Sequence, residues 1–183
     1  MRPSSRLTSW QAILFSVGAA VLIAGSGIAG GGPKPASEPL PSDGHLAPSK
    51  TDRCPVCAMF PSRYPRAAAA MTLNDGTTYY FCSNGCLLRT WLRPGAYLGK
   101  EQAAIERLVV LDYFSGRPID AHTATWVAGS DVVGPMGPAI IALGAAGHAT
   151  SFKKRHGGKI VFTLDQLDDN LWRKISRHKL PQP

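Results

Sequence analysis

Two cysteine pairs, Cys54 and Cys57 in "DRCPVCAMF" and Cys82 and Cys86 in "YYFCSNGCLL", constrain this chain more than any other feature. Between them lie "RAAAAMTL" and "TTYYF", apolar or β-favouring runs parted by Asn74-Asp75-Gly76. Asp-Gly suits a tight turn, so a β-hairpin is predicted over about 66–81. Such a hairpin returns the chain to where it started and brings the two pairs together. Beyond Phe81, a Ser83 or Asn84 cap followed by Leu87, Leu88, Trp91 and Leu92 at helical spacing predicts a helix ended by Pro94, with Cys82 at its start.

The rest of the sequence repeats this plan more loosely. Strands are expected at "RLVVLDY", "ATWVAG" and "AIIAL", a helix after the small-residue stretch at 144–147, a strand at "KIVFTL", and a terminal helix from about Asp165. Laying Gly85 on Gly147 aligns Phe81 with Leu143 and Cys86 with His148. The expected fold is therefore α+β: two small related halves of antiparallel strands with packed helices, divided at about 52–105 and 106–183. Parallel winding is disfavoured, because the first two strands are joined by too short a turn for a crossover.

Upstream, Arg2 and Arg6 precede an uncharged run from Trp10 to Gly32. Residues 1–29 read as an export signal, with Gly27-Ile28-Ala29 as a small-x-small cleavage site. The run is also near the ~20 residues that span a bilayer, so it reads equally as a retained anchor. No cysteine follows it before Cys54 to carry a lipid. Residues 30–51, rich in Pro, Ser and Gly, are expected to be a flexible linker, with the folded domain over 52–183. Much of the formal charge of +8 lies in "SFKKRHGG" and "WRKISRHK", which read first as solvated helix faces and second as attraction to an anionic bilayer or an acidic partner. Nucleic acid is excluded as a partner by the expected extracytoplasmic location.

Three chemistries fit four exported cysteines. Disulfides Cys54–Cys57 and Cys82–Cys86 fit an oxidising compartment, although loops so small gain little from cross-linking. A four-cysteine zinc site, stabilising an interaction module, fits two thiol pairs meeting at a hairpin and a helix N-terminus, where thiolates are favoured. Met59 points to a third, since a neutral thioether suits Cu(I) and not Zn(II). A thiol-disulfide oxidoreductase is the weakest reading, because Met59-Phe60-Pro61 interrupts the helix that such a C-x2-C motif normally opens. The chain is not expected to be an enzyme. His122, His148 and His156 are left outside the site, and Asp112, Asp120 and Asp165 are expected at turns or caps.

Over about residues 52–168 the sequence resembles the nitrous oxide reductase accessory (NosL) family. The resemblance rests on Cys57-Ala58-Met59 with Tyr64-Pro65, Asn74-Asp75-Gly76, "VLDYFSGRPIDAHTATWV", "GPMGPAIIAL" and "HATSFKKRHGGKIVFTLDQL". It departs from that pattern at Ala58, which is usually glycine there. It implies an exported or membrane-tethered Cu(I) chaperone that serves maturation of nitrous oxide reductase, in a fold of two ββα-like halves. The copper ligands it implies are Cys57, Met59 and Met136, the last in Pro135-Met136-Gly137. The implied partner is a copper-receiving protein, nitrous oxide reductase or its maturation machinery. Cys54, Cys82 and Cys86 are not required by the family pattern, and stand as candidates to widen the site, build a second one, or pair with each other.

Overall fold

The computed structural model describes residues 32–182, so the leader expected over 1–29 lies outside the described residues. Among the described residues, no helix is long and apolar enough to cross a membrane. The predicted hairpin is formed by β1 (Ala69–Leu73) and β2 (Thr78–Phe81), paired antiparallel with Ala69 opposite Phe81. Its turn closes through Gly76 N–H to the Leu73 carbonyl, and Gly76 takes a φ of 80° that only glycine adopts cheaply. Asp75 accepts the Thr77 N–H across the same turn.

Helix α1 (Asn84–Leu92) follows, capped by Ser83, whose hydroxyl accepts the Cys86 N–H. Pro94 ends it as expected and then opens a short α2 (Pro94–Leu98), stopped by left-handed Gly99. Strand β3 (Ile105–Leu111) returns along β1, and β4 (Pro118–Asp120) pairs on its far side. The first sheet therefore has the order β2-β1-β3-β4.

A second sheet contains β5 (Thr125–Ser130), β8 (Ile141–Leu143) and β9 (Gly157–Phe162), in the order β8-β5-β9. Between β5 and β8 stands a small hairpin of β6 (Val133–Gly134) and β7 (Gly137–Pro138). Helix α3 (His148–His156) links β8 to β9, and α4 (Asp169–Ile175) comes last. Every strand pairing is antiparallel. The molecule is a mixed α+β domain.

The two sheets share one winding: a central strand, a second strand on one side of it, a helix, and a third strand on its other side, to which the first sheet adds β4. The division differs from the one expected at 105/106. β3 hydrogen-bonds to β1 and so belongs to the first sheet, and the change of sheet falls between Asp120 and Thr125. A strand that follows a helix reads locally as the start of a new unit. Only its long-range pairing reveals it as the close of the old one.

One core runs through both sheets, joining Phe81, Leu108 and Val110 to Trp126, Phe162 and Trp172. A second cluster, Val127, Ile141, Leu143 and Phe152, fills the space under α3.

The segment expected as a flexible linker is extended but pinned. Ala36 N–H reaches the Thr78 carbonyl at 2.7 Å, Arg107 donates to the Pro41 and Ser42 carbonyls, and buried Gly44 packs against Arg107, Val109 and Pro118. Buried Asp52 accepts Ser37 N–H, Ser37 Oγ–H and Ser49 N–H. Burial alone would raise its pKa, but these bonds outweigh it and hold the carboxyl below the ordinary aspartate value. Proline-rich composition signals a lack of core-forming residues; it does not preclude docking through backbone groups on an existing sheet edge.

Candidate metal centre

Hairpin and cap together decide where the thiols go. Cys82 follows directly on β2, outside α1, and Cys86 lies in the first turn of α1. Cys82, expected at the start of the helix, precedes it: Ser83 is extended to cap the helix (φ −160°), which leaves Cys82 on the strand side. Cys54 and Cys57 occupy a tight turn, closed by Ala58 N–H to the Cys54 carbonyl and Cys54 N–H to the Met59 carbonyl, both at 2.9 Å. That turn does not open a helix; only a 3-10 turn, Pro61–Arg63, follows.

The four sulfurs converge, all within 4.8 Å of one another. Cys57 Sγ is 3.3 Å from Cys82 Sγ, and Cys82 Sγ is 3.8 Å from Cys86 Sγ. Four thiolates around a tetrahedral ion at about 2.3 Å lie roughly 3.8 Å apart, so the cluster already has the dimensions of a metal cage. All four are free thiols. Cys57 and Cys82, which approach to 3.3 Å, come from different pairs, and the within-pair disulfides that the spacing suggested are not formed.

Cys54, Cys82 and Cys86 are buried, whereas Cys57 is half-buried. Cys54 is held far below the ordinary thiol pKa because the thiols of Cys57, then Cys82 and Cys86, donate to it, against the opposing effect of burial. Cys57 is pulled up by Cys54 and, more strongly in sum, down by Cys82 and Cys86. Cys82 and Cys86 are pushed well up, first by serving as donors to Cys54. A soft cation entering the cluster replaces these shared protons.

The expected thioethers pack against the same core as the thiols. Met59 and Met136 are both half-buried against the core that contains Cys54, Cys82 and Cys86. Met136 is at the tip of the β6–β7 hairpin beside Pro135, and its carbonyl is hydrogen-bonded to His178 Nε2 at 3.1 Å. With Cys86 it borders a groove of about 1420 Å³, which Cys57 and Met59 do not line. Met71 is fully buried in β1.

No histidine joins the thiols among the described residues. His122 is edge-on to Trp91, His148 is edge-on to Phe114, and His156 lies between the Tyr113 hydroxyl and Asp131. Asp112 is at a turn, accepting from Ser115 and Gly144, and Asp120 accepts the His122 N–H. Sequence reading missed Asn84, whose side chain donates to the Ile140 carbonyl and ties the start of α1 to the second sheet. Its only sequence signal was its place beside the cap.

The NosL family model matches residues 45–172. The chain belongs to the NosL family. It is 27% identical over 124 residues to the copper-binding lipoprotein NosL of Stutzerimonas stutzeri, a match covering 66% of this chain and 64% of that protein. Its fold is similar to the crystal structure of the copper chaperone NosL from Shewanella denitrificans, with a TM-score of 0.59 and 24% identity, over 71% of this chain and 99% of that one.

The departure from the family pattern at Ala58 now has a physical meaning. Ala58 has a φ of 58°, alone among the described non-glycine residues in being positive. Left-handed backbone costs an L-residue about 1–2 kcal/mol, whereas glycine adopts it freely. Exposed Ala58 loses no packing on truncation. Ala58→Gly is expected to stabilise the metal-free protein by about 0.5–1 kcal/mol after glycine's larger unfolded-state entropy is subtracted. Thermal unfolding checks this, as a rise of roughly 1–4 °C in Tm.

Proposed function

We propose that this NosL-family protein is an extracytoplasmic Cu(I) metallochaperone that supplies copper for maturation of nitrous oxide reductase. The observation that carries this reading is the convergence of four thiols with only Cys57 at the surface. Cu(I) accepts two or three soft ligands without demanding geometry, so it can be held by part of the cluster and pass outward through Cys57 by ligand exchange. The copper-binding relative and its family support copper over other soft metals. In this reading Cys57 and Met59 hold the ion with support from Cys54, Cys82 and Cys86, and Met136 supplies a further thioether. The Stutzerimonas relative is a lipoprotein; here the apolar leader exports the domain, releasing it if cleaved and tethering it if retained as an anchor.

A static zinc site built on all four cysteines is the second reading, favoured by the tetrahedral dimensions of the cluster. Titration of the reduced protein with Cu(I) against a competing chelator, with a zinc assay as isolated, separates the two. Tight copper binding without retained zinc supports the chaperone; stoichiometric retained zinc sinks it. The thioethers have their own test. Met136→Leu keeps volume and apolarity, so stability should change little, while Cu(I) affinity should fall at least roughly tenfold, the scale of outer-shell losses at metal sites. Unchanged affinity would return Met136 to a purely packing role.

A further inference from the structure

The groove beside the metal centre has a lining that the thiol chemistry does not use. Its walls are the start of α1, the β6–β7 hairpin, the edge strand β8 and the C-terminal stretch 173–178. Arg66, Arg89, Lys159, Arg173, Lys174 and Arg177 line it, with Asp112 as the only carboxylate among its lining residues. Asp112 is spent, its two oxygens accepting from Ser115 and Gly144. None of the six cations is paired with a carboxylate among the described residues.

Six like charges around one trough repel each other, and a concave wall of one sign concentrates its counter-ion. At the lip, Val133 is 75% exposed. A flat anionic bilayer would not enter the depth of the trough. An extended polypeptide enters it, carrying carboxylates at intervals for the cations and apolar side chains for Val133.

We propose that this groove is a docking site for an acidic, partly apolar polypeptide segment of a partner protein. Taking that partner to be the copper-receiving protein rests on the chaperone reading; the preference for an acidic segment does not. Docking there would seat the segment against Cys86 and Met136, next to the thiol cluster.

The test uses the metal-free full chain and a fluorescein-labelled glutamate-rich peptide containing one leucine, followed by anisotropy at low ionic strength. Reversing Arg173, Lys174 and Arg177 to glutamate should weaken binding at least tenfold. Reversing Lys153, Lys154 and Arg155, exposed on α3 and outside the groove, makes the same change in net charge and should weaken it less than threefold. Lys159→Glu, a single exposed change on β9, gives a second readout if the triple variant folds poorly. Binding should also fall as salt shortens the screening length from about 10 Å at 0.1 M towards 3 Å at 1 M. Equal losses in the two triple variants, or no peptide binding, would overturn the proposal. So would peptide binding that survives the groove reversals while binding to phosphatidylglycerol vesicles is lost, which would assign the groove to a membrane. Failure of the chain to bind Cu(I) would remove the chaperone reading and leave the peptide comparison intact.

Discussion

Cys57→Ser is expected to lower Cu(I) affinity by at least roughly a hundredfold, the upper end of what loss of an outer-shell partner costs and a minimum for a ligand itself. The reason is position. Cys57 is 3.3 Å from Cys82 and is the half-buried member of a cluster whose other three thiols are buried. Its serine replacement remains solvated at little cost, so the variant should fold. Cys82→Ser, by contrast, buries a hydroxyl at a fully enclosed site, which costs about 1–3 kcal/mol in its own right. Chelator competition on the two variants, alongside their metal-free melting curves, separates loss of ligand from loss of fold. Copper affinity unchanged in folded Cys57→Ser would move the exchange site away from this thiol.

Trp126→Ala is expected to cost about 3–5 kcal/mol, the range for deleting a large buried aromatic. Trp126 is fully buried on β5, the middle strand of the second sheet, its indole N–H donates to the Ala121 carbonyl at 3.2 Å, and its ring stacks on Phe162. The same core contains Cys54, Cys82 and Cys86, so the loss is felt at the metal centre although Trp126 is in the other sheet. Tm should drop by roughly 6–20 °C. Copper binding should fail on warming, where the wild-type chain still holds the ion, and return on cooling. A loss under about 1 kcal/mol would show that the two sheets do not share one cooperative core.

These two residues also mark how far the sequence could be read. The β1–β2 hairpin and capped α1 were legible because each rests on neighbours in the chain: Asp75-Gly76 at the turn, Ser83 at the cap, leucines at helical spacing. The sulfur residues could be proposed as ligands from the sequence too, since sulfur chemistry is read from residue type and short spacing. The place of β3 was not, because a strand's partner is chosen by pairing across the chain. The pinned segment 36–44 escaped for a related reason, its contacts being backbone hydrogen bonds that leave no mark on composition.

The sequence by itself determined the β1–β2 hairpin, the capped helix α1 and the family, all of which depend on residue identity over short stretches, and left β4, α2 and the β6–β7 hairpin unread. Tertiary structure decided that the four thiols form one cluster and not two pairs, that Cys57 is its most accessible member, and that Ala58 adopts a left-handed backbone to close the turn. It also gathered cations from residues 66, 89, 159 and 173–177 around one groove. The turn at Ala58 closes locally, but distances between side chains far apart in sequence, and their access to solvent, exist only once the chain has folded.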